Sequence, residues 1–358
     1  MSRPRAISFL LLTFLFGAST LAIFSLGTPL RADPSASPAI GDTRIARWKD
    51  DAKGVFLLMF DDSWPSHWQV AAPELAKRDL IATFYICPGK GEHQKFAAEW
   101  EQKLWKLGMV YGDHTMTHKG VKDLENAEFE IGECARIIRK IVPGKEDRLV
   151  SYGQPGVGPD DWKITSDELN GLLLKHHLVS RPPFTGHGAV YHLKTLDEML
   201  ALTDKAIQSA GMEYMVVHGV ERITPNWGYQ DMWPLKQDIL LPFLDGLKER
   251  RDRGDLWITD HITEHQYETE RSSATVQVLE RAADHLQLAL KSAADPKFYD
   301  LPLTLITQVP ADWKQAAITQ GSATKSVAVS SRTIRYDALP GAVPIRIQRE
   351  PVAANRNR

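Results

Sequence analysis

The sequence predicts an α/β domain, built on a parallel sheet or barrel, followed by a small all-β domain. Three observations predict it. From about residue 52 to 265, short apolar runs alternate with amphipathic helical stretches. After about residue 270 the apolar period drops to two. Polar residues able to bind metal recur just past the C-terminal ends of successive apolar runs, where parallel α/β barrels assemble their sites.

Element by element, "VFLLMF" (55–60) reads as a strand and "QVAAPELAKRDL" as a helix. "IATFYIC" is a strand stopped by Pro88-Gly89, and "FAAEWEQKLWKLG" a helix with Gly108 as its C-cap. "MVYG" is a short strand, and "NAEFEIGECARIIRKIV" a helix ended by Pro143. "RLVSYG" is a strand, "SDELNGLLLKHHL" a helix and "HLVSRP" a further strand. "TLDEMLALTDKAIQSAG" is a helix with Thr195 as N-cap, and "EYMVVHG" and "LWITD" are strands. About seven strand–helix units result. Beyond them "ATVQVLE", "HLQLALKS", "PLTLITQVP", "SVAVSS", "RTIRYDA" and "PIRIQRE" alternate as short strands of a sandwich-like domain at 272–350, read as a structural accessory.

The chain has 358 residues, 43% of them apolar and 25% charged, with a formal net charge of −2. No basic excess points to nucleic acid, and no acidic block points to a disordered tail. Arg3 and Arg5 precede an apolar run that carries no charge until Arg31. Residues 1–32 therefore read as a secretory signal, cleaved near Gly27 or Ala32, or as an uncleaved anchor long enough to span a bilayer. The expected location is secreted or periplasmic, with membrane contact only through this segment if uncleaved. Residues 33–50 read as a polar linker and 51–270 as the α/β domain. Cys87 and Cys134 either pair in an oxidising compartment or are two buried thiols.

The chemistry gathers at the strand ends. Asp61 and Asp62 follow the first strand, and Asp113, His114 and His118 follow "MVYG". Gln154 follows "RLVSYG", His218 follows "EYMVV", and Asp260 and His261 follow "LWIT". His114 and His118, four apart at a strand-to-helix junction, suit Zn²⁺ or a similar cation on one face of a turn, with Asp113 capping that turn. A bare pair of this kind is often two surface histidines. Asp62 as third ligand would leave one position open for water, as catalytic zinc sites do. A metal-activated water must lose a proton, so one of two vicinal carboxylates can ligate while the other faces the water. The alternative is that one aspartate caps the following helix, a task that Ser63 or Ser66 could also perform.

Phe60-Asp61-Asp62-Ser63, His114-Thr115-Met116-Thr117-His118 and Val216-Val217-His218, in this order and separation, resemble the motifs of the polysaccharide deacetylase family (NodB homology, carbohydrate esterase family four) over about residues 50–265. The resemblance implies a distorted (β/α)7 barrel that removes acetyl groups from sugars. It implies Asp61 as general base, Asp62, His114 and His118 as metal ligands, and His218 as general acid. It also implies a divalent metal, Zn²⁺ or else Co²⁺, Mn²⁺ or Ni²⁺, and an acetylated polysaccharide or oligosaccharide of chitin, peptidoglycan or xylan type as partner.

One departure matters. The family's third motif, R-x-P-[FYW], orients the base through its Arg. At that place this chain has "SYGQPGVG", with Gln154 and no Arg, while "RPPF" (181–184) occurs one helix later. Either Arg181 reaches in from the next strand end, or Asp61 relies on other partners and "RPPF" is a rigid loop. Trp64, Trp162, Trp227, Tyr229 and Trp233 fall in loops near the expected catalytic face, where rings can stack on sugars, although any one of them can equally pack its loop. His187 and His192 have a weaker claim. Arg181, Trp64, Gln154 and Trp227 are the candidate substrate contacts. The missing Arg also motivates a second reading, a non-catalytic carbohydrate- or cell-wall-binding protein on the same scaffold. A hydrolase of a non-sugar amide is a third.

Overall fold

The computed structural model describes residues 39–183, 193–223 and 230–351. The segment 1–32 read as signal or anchor lies outside them. Among the described residues no helix is long and apolar enough to cross a membrane.

Strand β1 (Thr43–Ile45) precedes the first barrel strand, β2 (Gly54–Asp61). Then follow β3 (Thr83–Ile86), β4 (Val110–Asp113), β5 (Val150–Tyr152), β6 (Leu178–Ser180), β7 (Met212–Val217) and β8 (Leu256–Thr259). The strands β2 to β8 form one parallel sheet, ordered β6-β5-β4-β3-β2-β7, with β8 also on β2. This is the expected distorted seven-stranded α/β barrel. Among the described residues β6 and β7 do not pair, so the ring is open there. β2 is buried on both faces, which is why it reads as an unbroken apolar run. Phe56, Leu58 and Phe60 pack under the helices, while Val55, Leu57 and Met59 join Tyr85 and Val216 inside the barrel. With a period of two, Asp61 continues the inward row.

β7 runs along one whole edge of β2, from Val55↔Met212 to Phe60↔Val217. The other edge is shared. β8 pairs the first half, Gly54↔Leu256 to Leu57↔Thr259, and β3 the second, Met59↔Thr83 to Asp61↔Tyr85. β8 thus ends where β3 begins, and helix His261–Ser273 leaves from that point, its first backbone N–H donating to Thr83 Oγ1 at 3.2 Å.

Most expected helices are present. Thr165 and Thr195 each form a capping box, with Glu168 and Glu198 respectively. Gly108 caps its helix at φ +85°. Helix Gln237–Asp252, absent from the sequence reading, contains Pro242. Its apolar stripe of Leu240, Phe243, Leu244 and Leu247 is fully buried, and that burial outweighs the lost backbone hydrogen bond.

The C-terminal strands are β9 (Ala274–Arg281), β10 (His285–Ser292), β11 (Leu303–Gln308), β12 (Gln315–Gln320), β13 (Ala323–Ala328), β14 (Thr333–Ala338) and β15 (Ile345–Glu350). They form antiparallel sheets β1-β11-β14 and β13-β12-β15-β10-β9 around a core that includes Leu288, Leu305, Trp313, Ile318, Tyr336 and Ile347. β12 was not expected, and the strand read at 326–331 instead covers Ala323–Ala328, because the hairpin turns at Gly321. The reading of 33–50 as linker is corrected for its second half. β1 pairs with β11, and Ala46 and Trp48 are buried, since their apolar side chains fill a seam that the flanking polar residues hide in the sequence. Nor is there a clean border near residue 270, because Tyr267 of the helix lies in the sandwich core and its hydroxyl donates to the Ala46 carbonyl at 3.0 Å. The described residues form one compact unit.

That helix also buries an acid. Burial first, then the charges of Glu268 and Asp260, push the Glu264 carboxyl up to about 7. Between its ordinary value and about 7, the unfolded chain releases this proton while the folded chain keeps it. Glu264 therefore costs stability as pH rises through that window, with the full cost above it. Glu264→Gln is expected to raise the Tm clearly at about pH 8 and little at about pH 4. Equal shifts at both would contradict the assignment.

Candidate metal centre and active site

Asp61 ends β2 and Asp62 begins the turn after it, at φ +80°, with Ser63 at φ +56°. An extended strand would send Asp62 to the face opposite Asp61; the positive φ keeps both carboxylates at the same site, with His114 Nε2 3.7 Å from Asp61 Oδ2 and 3.4 Å from Asp62 Oδ1. Ser63 Oγ accepts from the Cys87 amide at 2.8 Å, and Ser66 Oγ from the Val220 amide at 2.9 Å. Neither serine nor aspartate caps the following helix.

Asp62 Oδ1 lies 3.1 Å from His118 Nε2 and 3.4 Å from His114 Nε2. Asp62 Oδ2 accepts from Trp64 Nε1 at 3.3 Å. His114 and His118 do not sit on a helical turn. Thr115 and His118 have φ of +63° and +59°, and the next helix begins only at Leu124, capped by Asp123. The expected one-face turn is corrected accordingly. Asp113 Oδ1 accepts the Thr115 amide and ties the loop, not a helix start.

Whether a cation fits can be tested on these atoms. His114 Nδ1 bonds the Gly153 carbonyl at 2.6 Å, and since a carbonyl can only accept, Nδ1 carries the proton. In the neutral imidazole the lone pair is then on Nε2, the nitrogen that faces Asp62. Asp62 Oδ1 is buried and has no hydrogen-bond partner among the described residues. Three ligand atoms within 4.8 Å of one another, one carboxylate oxygen and two imidazole nitrogens, with one imidazole oriented by a backbone carbonyl, suit a divalent cation.

Asp61 has a different partner. Arg181 Nη1 and Nη2 donate to its Oδ1 and Oδ2 at 2.6 and 2.8 Å. The register explains how an arginine one strand late reaches Asp61. Asp61 aligns with Tyr85, Tyr85 with Gly112, and Gly112 with Ser151, two residues before Gly153. Two glycines in this interior layer leave a corridor, and the Arg181 side chain crosses it above the Tyr85 ring, its guanidinium carbon 4.5 Å from the ring centroid. Burial alone would push the Asp61 carboxyl up. The Arg181 charge, the neighbouring His114 and the two Arg181 hydrogen bonds outweigh it, so the carboxyl lies below its ordinary value. The structure thus answers which of the two expectations holds for "RPPF": Arg181 reaches in. Gln154, by contrast, is exposed on its loop.

His218 follows β7, on the edge of β2 opposite β3 and β4. Burial pushes its imidazole below the ordinary value, against the charges of Asp61 and Asp62. Trp233, half exposed, meets its ring edge-on at 4.9 Å. Several residues around it were not singled out from the sequence. His67 Nε2 bonds the His218 carbonyl, and Asp231 accepts the Ser66 amide at 2.9 Å while pairing with Arg222 at 2.7 Å in the interior. Lys90 also escaped, and its ammonium lies 3.9 Å from Asp62 Oδ1 and 4.7 Å from the Trp64 ring centroid. Only tertiary contact distinguishes these from ordinary loop residues.

Trp64 is at the centre, whereas Trp162 packs against the barrel core. Trp227, Tyr229, His187, His192 and Phe184 lie outside the described residues. Cys87 and Cys134 are both free and buried, so the thiol reading holds.

The family model for polysaccharide deacetylase matches residues 49–158. The resemblance to polysaccharide deacetylases holds. The match takes in both aspartates and both histidines of the candidate centre, and it stops before Arg181 and His218. Solved structures similar to this chain include a family 4 carbohydrate esterase from Streptomyces lividans in complex with acetate, at 16% identity over 60% of this chain and 95% of that one, with a TM-score of 0.41. A peptidoglycan deacetylase from Bacillus subtilis is similar at 16% identity over 60% and 90%, with a TM-score of 0.39. A family 4 carbohydrate esterase pseudoenzyme from Bacillus anthracis is similar at 16% identity over 60% and 66%, with a TM-score of 0.38. No curated protein matches.

Proposed function

We propose that this deacetylase-family protein is a secreted, metal-dependent carbohydrate deacetylase that hydrolyses N- or O-acetyl groups on a polysaccharide or oligosaccharide. One observation supports the reading above others: adjacent carboxylates have been given different partners, Asp61 a guanidinium and Asp62 two imidazoles. A binding protein gains nothing from that division.

Asp62, His114 and His118 would hold the divalent cation, Zn²⁺ being the first candidate for a carboxylate–bis-imidazole set and Co²⁺, Mn²⁺ or Ni²⁺ the others. When bound, such a cation supplies Lewis acidity toward an acyl oxygen and makes a nearby water more acidic. Asp61, ionised and fixed by Arg181, takes the proton from the attacking water. Each of its oxygens keeps a lone pair beside the one Arg181 uses. His218 protonates the departing sugar nitrogen or oxygen. Its imidazole must first gain a proton, because burial holds its pKa low. Trp64 and Trp233 border the site as surfaces for a sugar ring.

Acetate release should be measured on chitooligosaccharide, acetylxylan and peptidoglycan fragments, with added Zn²⁺, Co²⁺ or Mn²⁺. Release from at least one glycan is expected, and Asp61→Asn should lower it by about 10²- to 10⁴-fold with metal still bound. No release with any metal would sink the enzymatic reading in favour of a glycan-binding protein. Wild-type turnover in Asp61→Asn would remove Asp61 as base.

A further inference from the structure

Below the Asp61–Arg181 pair lies a buried column of polar groups that the proposed chemistry does not use. Tyr85 is fully buried, with its ring face under the Arg181 guanidinium. The Tyr85 hydroxyl shares a hydrogen bond of 2.6 Å with Ser151 Oγ. Ser151 Oγ shares one of 2.7 Å with His261 Nδ1. His261 is the first residue of helix His261–Ser273, held from above by Thr83 and capped by Asp260, whose Oδ1 accepts the Ile262 and Thr263 amides.

The fit is tight. A Cβ at Gly112 would fall 2.5 Å from the Tyr85 ring, and one at Gly153 would fall 2.9 Å from both Tyr85 and Arg181. Ring and guanidinium therefore occupy space that any other residue would deny them. The column is also chemically inert. Burial pushes the Tyr85 hydroxyl far up, and burial, helped by the His265 and Arg181 charges, pushes His261 down to about 3. Both stay neutral across working pH, which suits a fixed prop and not a proton carrier. The helix is gripped from below by the sandwich: Gln266 donates to the Phe298 carbonyl, His265 Nε2 meets Tyr299 Oη at 3.2 Å, and the Leu301 amide donates to Glu270 at 3.1 Å.

We infer that Tyr85, propped by Ser151 and His261, is a positioning residue that sets the Arg181 guanidinium on Asp61, and that the C-terminal region holds this prop in place through helix His261–Ser273. The inference rests on the proposed base role of Asp61. A shift of about 1 Å in a positioning group can cost as much as about a hundredfold in rate.

The test is a cycle of Tyr85→Phe, Tyr85→Leu, Ser151→Ala, Arg181→Met and the Tyr85→Leu/Arg181→Met double variant. Metal content, kcat, KM and Tm would be measured for each, on whichever glycan the wild type deacetylates. Tyr85→Leu should lower kcat about ten- to a hundredfold, with KM and metal content unchanged. Tyr85→Phe, which keeps the ring, should recover most of that loss, and Ser151→Ala should cost only a few-fold. In the Arg181→Met background Tyr85→Leu should cost almost nothing more, in kcat or in Tm. Additive losses, or an unchanged kcat in Tyr85→Leu, overturn the inference. If the wild type releases no acetate, the functional reading fails. The Tm cycle then decides the positioning claim alone, with additivity refuting it and non-additivity sustaining it.

Discussion

Arg181→Met is expected to lower kcat/KM by about 10²- to 10³-fold, the scale of a lost general base, while the protein still binds its metal. Arg181 donates both of its terminal nitrogens to Asp61 and touches none of Asp62, His114 or His118 through a hydrogen bond. Without it, a carboxylate buried to 2% exposure loses two hydrogen bonds and the charge that most lowers its pKa, and burial then favours its protonated form. A protonated Asp61 cannot accept from water. Breaking a buried pair also destabilises the fold, by about 3–5 kcal/mol, so activity must be compared on folded protein, checked by circular dichroism and metal content. Arg181→Lys should not rescue it, because an ammonium offers neither the planar fork nor the flat face that lies on Tyr85. Activity within threefold of wild type in Arg181→Met would mean that the ion pair is structural and that Asp61 is held by other groups.

His114→Ala should abolish activity and metal together. His114 is the most constrained of the three proposed ligands: buried, and oriented by the Gly153 carbonyl so that Nε2 faces Asp62. Loss of an outer partner of a ligand alone lowers metal affinity about 10- to 100-fold, so loss of the ligand should exceed that. The check is metal stoichiometry after gel filtration, alongside Asp61→Asn, which should retain its metal. The pair separates two roles that acetate release alone would confuse. Stoichiometric metal in His114→Ala would place the centre elsewhere.

The barrel and the proximity of Asp62, His114 and His118 were largely legible in the sequence, for a local reason. β2 is buried on both faces, so it is apolar throughout, and the first polar residues after it stand at the barrel rim. The spacing of His114 and His118 brings both close to Asp62 even though the loop is not helical and two of its residues adopt positive φ. Spacing constrains proximity, and the exact backbone path is secondary. Helix Gln237–Asp252 was missed because Pro242 interrupts an otherwise good apolar stripe. β1 was missed because a three-residue edge strand has no period to detect.

Arg181 shows where sequence reading stopped. Its number places it one helix late, and nothing local says whether it turns inward. The answer lies in Gly112 and Gly153, two residues that are conspicuous only once the register sets Gly112 beside Ser151 on the neighbouring strand, two residues before Gly153. The same holds for Tyr85, Ser151 and His261, which are far apart in the chain and form one hydrogen-bonded column. By itself the sequence determined the fold class, the strand ends and the residue types of a two-carboxylate, two-histidine centre, because burial and alternation are written locally. The tertiary structure alone decided whether Arg181 reaches Asp61 and what props it, because those contacts depend on register between strands, and register is a property of the assembled sheet.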